Sequence, residues 1–160
     1  MKICQFAKEK LNDESSLFLP SAVFGKRIII PASFNEFQKI DQDDFVELID
    51  YNPVTNTLLY LGPKIPSNEV AVHWIVHHAK KEIQVIIQIK NISDLNKIKQ
   101  KITKTSIDEN DNALDKAKKW LKTLQKNEIF LCDDVLIVTA SSIKKLEQNL
   151  KKMSKELEKL

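Results

Sequence analysis

Glycine is almost missing from this chain: Gly25 and Gly62 are the only two among 160 residues. Loops that cradle phosphate groups, such as the P-loop and the dinucleotide-binding turn, need several glycines so that backbone N–H groups can approach phosphate closely. Two isolated glycines cannot build either loop. The sequence therefore excludes P-loop nucleotide hydrolases and dinucleotide-dependent enzymes of the Rossmann type.

Cysteines and long apolar runs are also scarce. Cys4 and Cys132 are too few for a disulfide scaffold and have no Cys-x-x-Cys or Cys/His spacing, so we expect buried free thiols. No run approaches the roughly 18 apolar residues of a membrane span. Residues 1–12 are charged and amphipathic, without the apolar centre of a signal peptide. These features predict a cytoplasmic protein without membrane contact.

Arginine occurs once, as Arg27, and every other basic residue is a lysine. Because arginine is the usual bidentate partner of phosphate and guanine, the sequence does not favour a specialised nucleic-acid reader. The lysines are concentrated towards the C-terminus: residues 92–160 carry a net charge of +4 and residues 1–91 carry −1. They are typical of a solvated helix face. A lysine-faced surface that binds a partner or nucleic acid is the other interpretation, and such binding would weaken steeply with salt.

The sequence does contain regular alternation of strand and helix patterns, without a repeat or a linker. Predicted strands cover residues 17–19, 23–30, 45–50, 58–61, 83–89, 129–131 and 135–139. Predicted helices cover 2–11, the segment that starts at 67, 93–102, the segment that ends near 125, and the C-terminal segment after 141–142. Residues 52–56 are typical of a hairpin turn, whereas 31–44 and 104–111 are predicted to be mostly irregular. The pattern predicts a single domain over 1–160 with a layered α/β fold and a mixed sheet.

The centre of the chain carries the most specific pattern. Pro66-Ser67-Asn68-Glu69 is typical of a helix start, with a Ser or Asn cap and a carboxylate in the first turn. A dozen residues with a helical apolar stripe follow, and then an apolar strand that ends in Gln88-Ile89-Lys90. The helix start and the strand that follows it form the most specific motif of the chain.

This order resembles the class II aldolase/adducin family, in which a Pro-Ser-Ser-Glu helix start precedes a strand ending in His-x-His. Ile29-Ile30-Pro31-Ala32-Ser33 stands where the family has a strand ending in Thr-Pro-Ser-Gly. The acidic stretch 40–47 follows, as an acidic stretch does in the family, and Leu131-Cys132-Asp133-Asp134 stands near the family's Asn-His-Gly. The resemblance implies a three-layer α/β/α sandwich with a mixed central sheet.

The resemblance also implies what chemistry to look for. In active members a zinc ion held by three histidines polarises a substrate carbonyl. In this chain the three ligand positions hold Gln88, Lys90 and Asp133. Zinc prefers histidine nitrogen, thiolate or carboxylate, so we expect no zinc and no other cofactor. One hypothesis is that a Lys90–Asp133 ion pair replaces the metal.

Other family positions keep polar residues. Ser33, Ser67 and Asn68 remain as hydrogen-bonding groups for a small phosphorylated ligand, and Glu69 is the candidate acid/base. Lys90 is an electrostatic stabiliser or, with a pKa lowered by burial, an amine nucleophile.

Three histidines are also close together in the sequence. Glu69, His73 and His77 share one helix face at i, i+4 and i+8, a spacing that can bind metal. Histidines that flank the core face of the helix, either hydrogen-bonded or exposed, are the simpler interpretation.

Three functions follow from these residues. The leading hypothesis is a catalytically degenerate class II aldolase/adducin-like protein with a non-enzymatic role in binding or assembly. The resemblance implies a homo-oligomer, and a protein partner or a small phosphorylated ligand is compatible with it. The alternative is a metal-independent or atypically metallated lyase or isomerase that acts on a small carbonyl compound or sugar phosphate. The lysine-faced binder of a partner or nucleic acid is the third.

Overall fold

A mixed β-sheet is the central element of the fold, and the computed structural model describes residues 5–7, 9 and 15–159. In chain order the strands are β1 (Leu17–Phe24), β2 (Arg27–Pro31), β3 (Asn35–Glu36), β4 (Phe45–Asn52), β5 (Thr57–Leu61), β6 (Val85–Lys90), β7 (Lys104–Thr105), β8 (Ile129–Cys132) and β9 (Val135–Ala140). Their order across the sheet is β5-β4-β2-β1-β6-β9-β8-β7, and β3 pairs with β1 off this path. The short β7 runs parallel to β8, while the other pairings are antiparallel.

Helices cover both faces of this sheet. They are α1 (Asn68–Ala79), α2 (Leu95–Lys101), α3 (Ala113–Thr123) and α4 (Ile143–Leu157), and two short 3-10 helices, Phe37–Lys39 and Gln42–Asp44, precede β4. One apolar cluster contains buried residues of α1 and α3, and another contains buried residues of α2 and α4. The predicted three-layer α/β/α sandwich with a mixed sheet is therefore confirmed.

Strand β6 lies between β1 and β9 in the sheet and is buried on both faces. Val85, Ile87 and Ile89 pack in the cluster that contains α2 and α4, whereas Ile86 packs in the cluster that contains α1 and α3. Since successive side chains alternate between the faces of a strand, Gln88 and Lys90 lie on the same face as Ile86. This alternation directs both residues, which the resemblance aligns with the family's His-x-His pair, to the sheet face that α1 covers.

The β5 side of the sheet is covered less completely. Leu58 and Tyr60 pack into the core beside Val70 of α1. Their neighbours Leu59 and Leu61, which point to the opposite face, are 58% and 62% exposed. One end of the sheet therefore presents apolar side chains to solvent.

Several sequence predictions need correction. The strand predicted over 23–30 is wrong, because a tight turn divides it between Phe24 and Arg27, which pair with each other. Gly25 has a φ of +65° in that turn, a conformation that glycine adopts without the steric cost of a Cβ. The loop predicted over 104–111 begins with β7, and the strand predicted from Ile83 begins at Val85.

Among the helix starts at Ser67, Asp94 and Ser142, only Ser142 caps its helix through the side chain, because neither Ser67 nor Asp94 makes a side-chain capping bond. The Ser142 hydroxyl accepts a hydrogen bond from the Lys145 N–H at the start of α4. Ser67 stands at the cap position of α1, but its side chain makes no capping bond. The predicted helix over 2–11 lies mostly outside the described residues, of which 5–7 and 9 are helical. Within the described residues, no helix combines the length and the apolar character that crossing a membrane requires.

Candidate functional site

Gln88 stands at the first predicted zinc-ligand position and makes a buried hydrogen bond to α1. Its side chain is 1% exposed, and its Nε2 lies 2.8 Å from Nε2 of His73. The helical stripe of α1 directs His73 towards the sheet, where β6 presents Gln88. A side chain at position 88 can therefore reach α1, the helix that carries Glu69. In this chain that side chain is an amide and not a histidine.

The hydrogen bonds continue from His73 through two further side chains. Nδ1 of His73 lies 2.7 Å from Oγ of Ser21, and the same Oγ lies 2.8 Å from Nε2 of His77. Nδ1 of His77 lies 2.9 Å from the carbonyl oxygen of Ile83. We call Gln88, His73, Ser21 and His77 the histidine chain. It runs from β6 through α1 and β1 to the loop that precedes β6.

Donor and acceptor roles along the histidine chain follow from its two ends. The Ile83 carbonyl can only accept, so Nδ1 of His77 carries a proton and the Nε2 of a neutral His77 accepts from the Ser21 hydroxyl. Ser21 has one hydrogen to donate, so it accepts from Nδ1–H of His73. The bare Nε2 of His73 then accepts from the Gln88 amide, whose NH₂ group donates. Every bond is satisfied when both histidines are neutral.

Burial supports this protonation state. His73 is fully buried, and desolvation followed by the nearby His77 lowers its pKa well below the ordinary value. Desolvation also lowers the pKa of His77 from 6.5 to about 4, against the opposing effect of the Ile83 carbonyl. Both rings are therefore uncharged at neutral pH, as the directions of the hydrogen bonds require.

Aromatic and sulfur groups close the site around His73. The Trp120 ring of α3 meets His73 edge-on, with centroids 6.0 Å apart, and its Nε1 donates to Sγ of Cys132 at 3.4 Å. Cys132 is a buried free thiol, as predicted, and burial raises its pKa to about 11. A thiol with that pKa is protonated at neutral pH and is a poor nucleophile. Cys4 lies outside the described residues.

Lys90 and Asp133, the other two ligand positions, do not meet as the ion-pair hypothesis predicts. The Lys90 ammonium lies over the Phe34 ring, 3.9 Å from its centroid. Asp133 is exposed in the β8–β9 turn with a φ of +52°, and its N–H donates to the Thr105 carbonyl. No ion pair between Lys90 and Asp133 occurs among the ion pairs of the described residues, so we drop the hypothesis.

The donor set at these positions does not fit zinc. Gln88 presents its amide N–H to His73, Lys90 brings a cation, and Asp133 is a single exposed carboxylate. The alternative metal site on one face of α1, formed by Glu69, His73 and His77, does not fit either. The histidine nitrogens that face Ser21 are already hydrogen-bonded to it and are not free to bind a metal ion. Over residues 5–7, 9 and 15–159, no three His, Cys, Asp or Glu side chains are grouped to hold a metal ion.

Glu69, the candidate acid/base, makes an ion pair between two helices. Its Oε1 lies 3.2 Å from Nζ of Lys116 on α3, and both side chains are about one-fifth exposed, at 25% and 18%. The contact joins the first turn of α1 to α3, which are neighbours on one face of the sheet. A structural role is thus sufficient to explain this glutamate, and a catalytic role stays a prediction.

The residues predicted to hold phosphate are only partly brought together. Ser67 and Asn68 line a cavity of about 400 Å³ at the N-termini of α1 and α3, and the Ser67 hydroxyl is buried there without a hydrogen-bond partner. Ser33 is exposed and does not line it. Lys116 contributes one positive charge, but Glu109 and Asp111 contribute two negative ones. These charges do not favour a phosphate, and the small phosphorylated ligand at this place stays a prediction.

Two important residues were not identified from the sequence. Ser21 joins the two histidines, and its sequence signal is a serine between Leu19 and Val23, on the inward face of a strand. Lys116 was one lysine of many on an amphipathic helix, and nothing in the sequence distinguishes it. Trp120 of α3 is a core residue, with 3% exposure.

Comparison with solved structures identifies the fold. YgbL from Escherichia coli, described as a putative aldolase/epimerase/decarboxylase, superposes with a TM-score of 0.69 at 10% identity, covering 99% of this chain and 86% of that chain. A sugar-phosphate aldolase from Thermotoga maritima gives 0.70 at 11% identity, covering 98% and 90%. An L-fuculose-1-phosphate aldolase from Thermus thermophilus gives 0.65 at 9% identity, covering 98% and 89%.

Sequence comparisons add nothing to this result. No protein-family model matches the chain, and no curated protein matches it. Identities near 10% over almost the whole chain show the fold and not the activity. This chain has the fold of the class II aldolases.

Proposed function

We propose that this protein is a catalytically degenerate relative of the class II aldolases that works by binding or assembly and not by zinc catalysis. The observation that carries the proposal is the hydrogen bond from Gln88 to His73. At the position where the resemblance implies a zinc ligand, an amide donates into a buried chain whose members satisfy one another. Such a chain stabilises the packing of α1 on β1 and β6 and leaves no free nitrogen there.

The neighbouring groups support the same conclusion. Lys90 would place a cation where the metal charge belongs, and its ammonium packs against Phe34. Glu69 is engaged with Lys116. A metal-independent lyase would require Lys90 or Glu69 to approach a substrate, and neither contact favours that role.

Zinc content tests the proposal directly. Tag-free protein is equilibrated with zinc, desalted and analysed for metal per chain, and we expect a value near zero. The Thermotoga maritima sugar-phosphate aldolase, treated in the same way, serves as the reference. About one zinc per chain at a stoichiometric, saturable site would contradict the proposal.

Activity provides the second test. The same preparation is incubated with L-fuculose 1-phosphate, the compound in the name of one structurally similar enzyme, with and without added zinc. We expect no consumption of the compound above the protein-free rate. Sodium borohydride is then added in the presence of small carbonyl compounds, and the protein mass is measured. A trapped adduct that is lost in Lys90→Gln would establish a Schiff-base enzyme and overturn the proposal.

Assembly is tested separately. The homo-oligomer that the resemblance implies stays a prediction, and light scattering on chromatographed protein measures it. We expect a mass above that of the 18.4 kDa chain. If the protein is a monomer at every concentration, the assembly role is ruled out and the binding role remains.

A further inference from the structure

A wide groove at the β7 edge of the sheet has no role in the function proposed above. Its volume is about 1030 Å³, and it lies between β7, the end of α3 and the β8–β9 turn. Asp133 is the only one of the three predicted zinc-ligand positions that lines it. Five lysines contribute to its surface: Lys99, Lys104, Lys119, Lys122 and Lys126.

Two of these five lysines are neutralised by carboxylates. Lys99 lies 2.6 Å from Asp134, and Lys119 lies 3.0 Å from Asp108 and 2.5 Å from Asp111. Such pairs hold their lysines in place and cancel much of their charge.

The other three lysines are not paired in this way. Among the residues that the structure describes, Lys104, Lys122 and Lys126 have no carboxylate within the 4.0 Å of an ion pair. The lining contains two carboxylates, Asp134, which pairs with Lys99, and Asp133. The groove thus has an excess of positive charge from groups that remain available to a ligand.

Neutral hydrogen-bonding groups lie between the lysines. Thr105 and Ser106 contribute hydroxyls and Gln125 contributes an amide, whereas the Thr123 hydroxyl and an Asn127 N–H already donate to the Lys119 and Thr123 carbonyls. Strand β7 is at the end of the sheet, with β8 as its neighbour on one side. Thr103 and Thr105 direct their carbonyls to β8, where the Leu131 and Asp133 N–H groups donate to them. By the alternation of the strand, the Lys104 backbone faces the open edge.

We propose that this groove binds a small, multiply phosphorylated anion through its phosphate oxygens. An ammonium group is a compact point charge that suits phosphate without requiring a fixed orientation, and hydroxyl and amide donors complete the shell. The lining holds no aromatic ring on which a base could stack and no arginine that could read a base edge. The volume is that of a site for a ligand of ordinary small-molecule size.

The same lysines have a simpler structural explanation, which the experiment must exclude. A lysine on a short edge strand discourages pairing with another chain, and lysines at the end of a helix interact favourably with its dipole. These effects would account for the positions of Lys104 and Lys122. They predict weak attraction of all anions, whereas a site predicts saturable binding with one ligand per chain.

Calorimetric titration with inorganic tripolyphosphate at low ionic strength is the test. We expect saturable binding at one site per chain in the wild type. The double variant Lys122→Gln/Lys126→Gln removes two of the available cations and should weaken binding about tenfold, because each lysine loses one exposed charge pair with the anion. The matched control Lys26→Gln/Lys81→Gln makes the same change of net charge outside the groove, where both lysines are exposed. Its affinity should equal that of the wild type.

A third variant tests whether the removal of a negative charge strengthens binding. Asp133→Asn removes one of the two negative charges from the lining, and asparagine tolerates the left-handed backbone conformation at this position. Binding should become about threefold tighter, within the range of one exposed charge pair. Equal weakening by the groove pair and the control pair, or the lack of any saturable binding, would overturn the proposal.

Nucleic acid is distinguished in the same titration. A single-stranded oligonucleotide is compared with tripolyphosphate at equal phosphate concentration and equal salt. Tripolyphosphate should bind at least as tightly per site. If the oligonucleotide binds more tightly, the ligand of the groove is a nucleic acid and the proposal of a small anion is wrong. The proposal does not depend on the loss of zinc, so metal content and tripolyphosphate affinity can fail independently.

Discussion

The histidine chain and the lysine groove use polar residues in opposite ways. His73, His77, Ser21 and Gln88 are at most 3% exposed, and each has its hydrogen bonds satisfied by another member or by the Ile83 carbonyl. The groove presents to solvent three lysines, Lys104, Lys122 and Lys126, that have no carboxylate partner among the described residues. Residue types that catalyse reactions in other proteins are here part of the core, while the ordinary lysines of a helix surface remain available. What decides the role is whether a group still lacks a partner after folding.

Replacing His73 by alanine is the largest expected perturbation of this contrast. The change removes a fully buried ring and leaves Gln88 and Ser21 without their partner, so we expect a loss of about 3 to 5 kcal/mol of unfolding free energy. Urea unfolding followed by fluorescence of the two tryptophans measures it. His78→Ala on the same helix is the control, since His78 is exposed and stacks on Trp74. It should cost about 1 kcal/mol or less. Similar losses for both variants would show that the histidine chain is not a main source of stability.

Acidification perturbs the same chain without a mutation. The pKa of His77 falls from 6.5 to about 4 on folding, so the unfolded state takes up a proton between these values and the folded state does not. The stabilising contribution is complete above pH 6.5 and is lost as the pH falls towards 4. Between pH 7.5 and 5 we expect a loss of about 2 kcal/mol from His77. His73, with its pKa lowered in the same direction, adds to it.

Urea titrations at several pH values measure this dependence, with His78→Ala as the control that should retain it. A free energy of unfolding that stays constant from pH 7.5 to 5 would mean that His73 and His77 take up protons at the same pH in the folded and the unfolded protein, which would contradict the lowering of their pKa values by burial.

The Glu69–Lys116 ion pair should contribute less. Glu69→Gln keeps the size of the side chain and removes one charge of a pair that is about one-fifth exposed. We expect a loss of about 1 kcal/mol or less in urea unfolding. A gain in stability on this substitution would suggest that Glu69 is kept at an energetic cost, as active-site groups sometimes are, and would revive its predicted catalytic role.

The groove should give the smallest effect on stability. Lys122 and Lys126 are exposed and make no ion pair in the described part of the chain, so Lys122→Gln/Lys126→Gln should change the unfolding free energy by no more than about 0.5 kcal/mol. The same urea titration measures it, without ligand. A large loss would assign these lysines to the fold and would remove the contrast between the two regions.

Much of the secondary structure could be predicted because its signals are local. The apolar run 85–89 and the capped start of α4 fix their elements through alternation and hydrogen bonding within a few residues. The division of the predicted strand 23–30 was missed because apolar residues lie at both of its ends, and the turn at Gly25 and Lys26 is defined by the pairing of Phe24 with Arg27. The two-residue β7 was missed because it exists only through its pairing with β8.

The candidate site divides in the same way. Alternation and periodicity predicted a layered α/β fold with a mixed sheet, because they depend on neighbours along the chain, and the resemblance to the class II aldolase/adducin family predicted the three-layer arrangement. The resemblance also places Gln88, Lys90 and Asp133 at the family's ligand positions, which stays a prediction. The contacts of these residues could not be read in this way.

The sequence by itself determined most of the strands and helices, their order and the chemistry that the chain lacks, because composition and periodicity are local properties. Tertiary structure decided which polar groups are satisfied. Ser21, His73 and Gln88 are far apart in the sequence and meet only because β1 and β6 pair beneath α1. Charge pairing at the groove was decided in the same way, since Lys99 and Asp134 lie on different elements and meet only in the folded chain. Hydrogen bonds and ion pairs depend on distances of a few ångströms, and the folded chain sets those distances.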